Sequence, residues 1–119
     1  MIKYYTIPEI PPSINRFVGR SAQWQYREQK QHWATLMAVH CRPRPAVPLE
    51  RATVKITYYF PTRGRRDPDN YLKFLLDGLV RCGIIKDDCF GCIDLVLVGA
   101  HDKLRPRVEV TVESREGLP

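Results

Sequence analysis

The sequence predicts an α+β domain: one small mixed sheet with helices packed on one face, its elements in the order β-α-β-α-β-β. Three observations carry that prediction. Residues 52–60 and 107–113 alternate apolar and polar side chains, the period of a half-buried strand. Residues 23–41 contain neither Pro nor Gly, and set Tyr26, Trp33, Leu36, Met37 and Cys41 near helical spacing. Leu72, Leu75, Leu76 and Leu79 repeat that stripe in a second segment. Strands and helices mixed within 119 residues fit one domain spanning 1–119, with one sheet and its helices sharing a core.

The elements follow in order. Residues 2–7, rich in β-branched and aromatic side chains, read as a first strand ended by Pro8. Pro11-Pro12-Ser13-Ile14-Asn15-Arg16 reads as extended loop, because proline biases itself and its predecessor away from helix. The helix over 23–41 is amphipathic and stops at the proline-rich linker 42–48. In the strand over 52–60, Val54, Ile56, Tyr58 and Phe60 face the core. After the loop 61–66, Asp69 or Asn70 is placed to cap the second helix, and Gly83 to end it. Strands over 92–98 and 107–113 complete the chain.

Nineteen Lys and Arg against thirteen Asp and Glu give a net charge of +6, which favours a polyanionic partner. The charges are unevenly placed. Six of the thirteen acids (Asp67, Asp69, Asp77, Asp87, Asp88 and Asp94) fall in one stretch of an otherwise basic chain. No apolar run is long enough to span a membrane and no signal peptide opens the chain, so a cytoplasmic protein with reduced cysteines is expected.

The stretch that carries chemistry is Arg63-Gly64-Arg65-Arg66-Asp67-Pro68-Asp69-Asn70, then Lys73, then Asp87-Asp88. Carboxylates bind hard cations such as Mg2+, while arginine and lysine bind phosphates. Pro68 holds the chain extended, so Asp67 and Asp69 are expected to face one ion, with Lys73 one turn on over the same side. The loop bearing Asp87 and Asp88 is expected to fold back and bring a third carboxylate to that point. Such a set suits metal-assisted phosphodiester hydrolysis. Each member also has a plainer role. Asp67 and Asp69 suit a turn and a helix cap, Lys73 suits an i,i+4 pair with Asp77, Asp87-Asp88 suit a solvated turn, and the arginines suit a soluble loop. Cys89-Phe90-Gly91-Cys92 has zinc-like spacing but no second close pair, and reads as small apolar residues rather than a zinc or redox site. His32, His40 and His101 have no partner spacing that suggests a ligand or base, and Trp24 and Trp33 read as core.

The run Arg65-Arg66-Asp67-Pro68-Asp69-Asn70, with Lys73, Asp77, Gly83 and Asp87-Asp88, closely resembles the RusA family of Holliday junction resolvases. Pro11-Pro12-Ser13-Ile14-Asn15-Arg16-Phe17 after a short first strand is a second, independent match, although tyrosine is frequent where Phe17 stands. The resemblance implies a structure-selective endonuclease dependent on Mg2+, with Mn2+ able to take its place. It implies a homodimer acting on four-way junction DNA in recombination and repair, commonly a prophage product. Carried over, Asp67, Asp69 and Asp88 match the metal-binding carboxylates, Lys73 the essential lysine, and Asp87 an accessory acid, with Asn70 beside them. Asn15, Arg16, Arg63, Arg65, Arg66 and Lys73 would then contact DNA. Two other readings stay open: a basic DNA-binding module without catalysis, and a small zinc protein using Cys82, Cys89 and Cys92.

Overall fold

A computed structural model describes residues 1–115; the last four residues of the expected domain lie outside the described residues. Strand β1 (Ile2–Ile7) leads through two short 3-10 turns to helix α1 (Gln23–His40). Strand β2 (Ala52–Phe60), a 3-10 turn at Pro68–Tyr71, helix α2 (Lys73–Arg81), strand β3 (Ile93–His101) and strand β4 (Arg107–Ser114) follow. The predicted α+β class and element order hold. β1 and β2 match their predicted bounds, while β3 runs three residues further than expected.

The four strands form one mixed sheet in the order β1-β4-β2-β3. β4 pairs antiparallel with both β1 and β2, whereas β2 and β3 are parallel neighbours. Parallel neighbours need a crossover, and α2 supplies it. The core lies between one sheet face and the two helices. Val54, Ile56 and Tyr58 of β2, Val108, Val110 and Val112 of β4, and Tyr5 and Ile7 of β1 are buried against Trp33, Met37, Leu75 and Leu79. The other face carries Lys55, Thr57, Glu109 and Thr111, the polar half of each alternation.

The helices approach closely where α2 has Gly78: a Cβ there would lie less than 3.0 Å from Met37 side-chain atoms. Gly83 ends the segment as predicted, with φ of +72°, which glycine adopts at low cost. Trp33 is core, but Trp24 is exposed, because the turn Arg20–Ala22 starts α1 with Trp24 on its outer side. The segment expected to be purely extended contains a 3-10 turn at Ile14–Arg16; the Ser13 hydroxyl accepts the backbone N–H of Asn15 at 3.3 Å and caps it.

A candidate metal and phosphate site

The acidic motif begins where β2 ends. Asp67 is extended (φ −95°, ψ 129°), and Pro68 then starts the 3-10 turn Pro68–Tyr71 that contains Asp69 and Asn70. Proline suits this position, since its fixed φ fits a helical first residue whose N–H would be unpaired anyway. The expected extended Asp67-Pro68-Asp69 run is therefore extended only at Asp67. Neither Asp69 nor Asn70 caps α2: the helix starts at Lys73, and Leu72 precedes it without a side-chain cap. The turn is anchored to the sheet. The buried Tyr58 hydroxyl donates to the Tyr71 carbonyl at 3.1 Å, and Tyr71 packs edge-on against Phe60. Burial holds the Tyr58 phenol above its ordinary pKa, so it remains a donor.

The arginines differ in role. Arg66 folds back on its own loop, donating to the Thr62 carbonyl at 2.9 Å and the Thr62 hydroxyl at 2.7 Å, with its guanidinium 4.3 Å from the Phe60 ring centroid. Arg65 Nε stands 3.5 Å from Asp67 Oδ1, and that arginine is almost fully exposed. Such exposed pairs contribute under about 1 kcal/mol and give way readily to a phosphate or a cation. Arg63 and Arg66 line an open groove between the 62–66 loop and Gly99–His101. Lys73 Nζ lies 3.6 Å from the Asp77 carboxylate, the i,i+4 pair anticipated as its plainer role.

Asn15 and Arg16 join the same region. Their turn packs against Pro68–Tyr71, and Phe17 meets Tyr26 of α1 (5.4 Å) and Phe74 of α2 (6.4 Å) edge-on. The proline-rich segment is thereby held beside the start of α2, next to Lys73.

Asp87 and Asp88 do not join it. The Asp87 carboxylate accepts the Asp88 N–H at 2.8 Å, and Cys89 O accepts the N–H groups of Cys92 and Ile93, which ties this turn to the start of β3. Asp67 instead lines a small cleft with Tyr58 and Gly99, toward the far end of that strand. Gly99 and Ile93 are six strand positions apart, roughly 20 Å at ~3.3 Å per residue. The expected folding back of Asp87-Asp88 is therefore corrected. The crossover sends the chain up β2, down α2 and up β3, so the residue after one strand and the residue before the next lie at opposite ends. Among the described residues no three His, Cys, Asp or Glu side chains are grouped closely enough to hold a metal ion. Sequence reasoning missed this, although parallel pairing of two strands flanking a helix would have shown it.

The donor chemistry still suits Mg2+. The available groups are oxygen-only, and Mg2+ is commonly held by one or two carboxylates completed by water and substrate phosphate. The zinc reading fares less well. Cys82 is half-buried, while Cys89 and Cys92 lie on the exposed turn, and no third ligand is grouped with them among the described residues.

Asp67 lines a cleft that shares Phe60, Arg66 and Gly99 with the arginine-lined groove, so a carboxylate and guanidinium groups stand together at one end of the sheet, an arrangement suited to a phosphodiester. The family model described as endodeoxyribonuclease RusA matches residues 9–113. The chain is 30% identical over 91 residues to the crossover junction endodeoxyribonuclease rusA of Enterobacteria phage HK97, covering 74% of this chain and 76% of that protein. The chain belongs to the RusA family of endodeoxyribonucleases, hydrolases that resolve Holliday junctions.

Proposed function

We propose that residues 1–119 act as a single-domain, Mg2+-dependent, cytoplasmic endonuclease. In this reading a homodimer resolves four-way DNA junctions by paired symmetric nicks during recombination and repair. The carrying observation is the placement of Asp67, Asp69 and Lys73 at one end of the β2–α2–β3 unit, beside the groove lined by Arg63 and Arg66. Asp67, Asp69 and Asp88 hold the metal, with Asp87 and Asn70 supporting them. Mg2+, or Mn2+ in its place, supplies activation of water and neutralisation of phosphate charge. Lys73 offsets charge developing on the transferring phosphate once it leaves Asp77. Asn15, Arg16, Arg63, Arg65 and Arg66 contact backbone phosphates, which position the strand without reading sequence.

The separation of Asp88 from Asp67 favours a dimer. β3 is an edge strand with a partly uncovered apolar surface: Leu95 is 37%, Val96 45% and Val98 37% exposed. Such an edge is a ready template for pairing. Antiparallel pairing of two β3 edges about a two-fold axis at Leu97 would set Ile93 of one copy opposite His101 of the other. The acidic turn of each copy then comes to the Asp67 end of its neighbour, giving two equivalent sites across one axis. No helix among the described residues is long and apolar enough to cross a membrane.

The test is cleavage of a synthetic four-way junction. Wild-type protein should nick it only with Mg2+ or Mn2+, and Asp69→Asn should bind the junction without cutting it. Equal cutting by both proteins refutes the role of Asp69. Metal-independent, strongly salt-dependent binding with no nicking by the wild type would instead indicate a DNA-binding module.

A further inference from the structure

The C-x-x-C turn carries chemistry that the nuclease does not use. Cys89 and Cys92 are free thiols, and their Sγ atoms stand 3.5 Å apart. Cys92 N–H donates to Cys89 O at 2.9 Å. That is the hydrogen bond of a four-residue turn, which keeps its end Cα atoms within about 7 Å. Disulfides need Cα atoms about 4.4–6.8 Å apart and sulfurs about 2.05 Å apart, so rotation of two short side chains closes the gap. Cys89 is exposed and Phe90 stands out into solvent, so the pair is open to a small reagent. The run is expected to hold only small apolar residues, yet Cys89 is exposed and Cys92 half-buried, unlike the buried Cys41.

We propose that Cys89 and Cys92 form a reversible redox dithiol whose closure locks the turn that presents Asp87 and Asp88. The oxidant is a low-molecular-weight disulfide. One thiolate attacks it, giving a mixed disulfide and one released thiol. The second thiolate then attacks the protein sulfur, expelling the other thiol and forming the Cys89–Cys92 bond. The protein loses two electrons and two protons, and the reagent is reduced to two thiols. The turn is coupled to the acids directly: Asp88 precedes Cys89, and Ala52 N–H donates to Cys92 O at 2.9 Å, joining the turn to the sheet. A second link along Sγ–Sγ restricts the backbone that Asp88 needs to reorient toward a cation. This last consequence, slower cleavage, rests on the nuclease reading.

The experiment treats the intact protein with oxidised glutathione, alkylates the remaining thiols, and reads peptide masses and amide hydrogen exchange. The expected result is a Cys89–Cys92 intramolecular disulfide reversed by dithiothreitol, with slower exchange over residues 88–93. Junction cleavage should fall several-fold on oxidation in the wild type and stay unchanged in Cys92→Ser, beyond any effect of a glutathione adduct. Single-cysteine adducts or chain-to-chain disulfides in place of the internal bond overturn the proposal, as does a disulfide that leaves exchange over 88–93 unaltered. A reduced protein that does not cut junctions tells against the nuclease reading alone, since mass and exchange do not depend on cleavage.

Discussion

Asp67 and Asp88 stand at opposite ends of one β–α–β unit, the first beside Gly99 of β3 and the second just before that strand begins. The parallel pairing of β2 with β3 causes the separation. In the proposed dimer the acids of one site would come from two copies of the chain, which would meet along the edge strand β3.

Lys73 is paired to Asp77 across one helical turn, with both side chains part-exposed. Such a pair contributes only a few tenths of a kcal/mol, so little opposes its release to a phosphate. Lys73→Met should lower the cleavage rate by about 10²-fold or more, the scale for losing one transition-state donor. Its thermal midpoint should stay close to wild type. Single-turnover kinetics with a thermal melt checks both.

The Tyr58 hydroxyl ties the acidic turn to the sheet through Tyr71. Tyr58→Phe keeps the buried ring and leaves one carbonyl short of a donor. A loss of about 1 kcal/mol is expected, measured by urea unfolding, together with weaker Mn2+ binding as the 68–71 turn loosens.

Gly78 is where the two helices touch. Alanine is ordinarily favoured over glycine in a helix by about 1 kcal/mol. Here the added methyl would press on Met37, and overpacking costs about 1–3 kcal/mol. Gly78→Ala should therefore destabilise by chemical denaturation, and shortening the neighbour in Gly78→Ala/Met37→Ala should recover less than additive loss.

Asp102 shapes the turn between β3 and β4, accepting the N–H groups of Leu104 and Arg105 on one oxygen and Arg107 on the other at 2.8 Å. The Arg107 hydrogen bond foremost, with the backbone N–H groups, holds its carboxyl below the ordinary value of 3.8. A depressed carboxyl stabilises the fold above its unfolded value and loses that contribution as pH falls through the folded one. The melting advantage of wild type over Asp102→Asn should thus be full near neutral pH and vanish in strong acid. A series of melts at stepped pH values measures it.

Much of this architecture was legible because burial imposes a period. β2 alternates since one face meets the helices, and Gly83 announced the end of α2 because its φ is positive. The start of α2 was misread because Pro68 opens a 3-10 turn of its own, leaving Asp69 inside that turn rather than at a cap. The arrangement of the acids was hidden for another reason. Spacing along a chain records neighbours within an element, whereas the distance from Asp67 to Asp88 is set by strand pairing, a relation between elements. The fold-back of Arg66 over Phe60 is likewise a tertiary contact with no local period.

In the proposed dimer each cleaving centre would draw its carboxylates from two chains. The most direct test of that sharing mixes two variants, Asp69→Asn and Asp88→Asn, each inactive alone, and assays the exchanged dimers on a four-way junction with Mg2+. One mixed dimer carries one intact set and one doubly damaged set, so the mixture should regain single-strand nicking without paired resolution. A mixture as inactive as its parents, with subunit exchange verified by mass, would rule out a site shared between two chains.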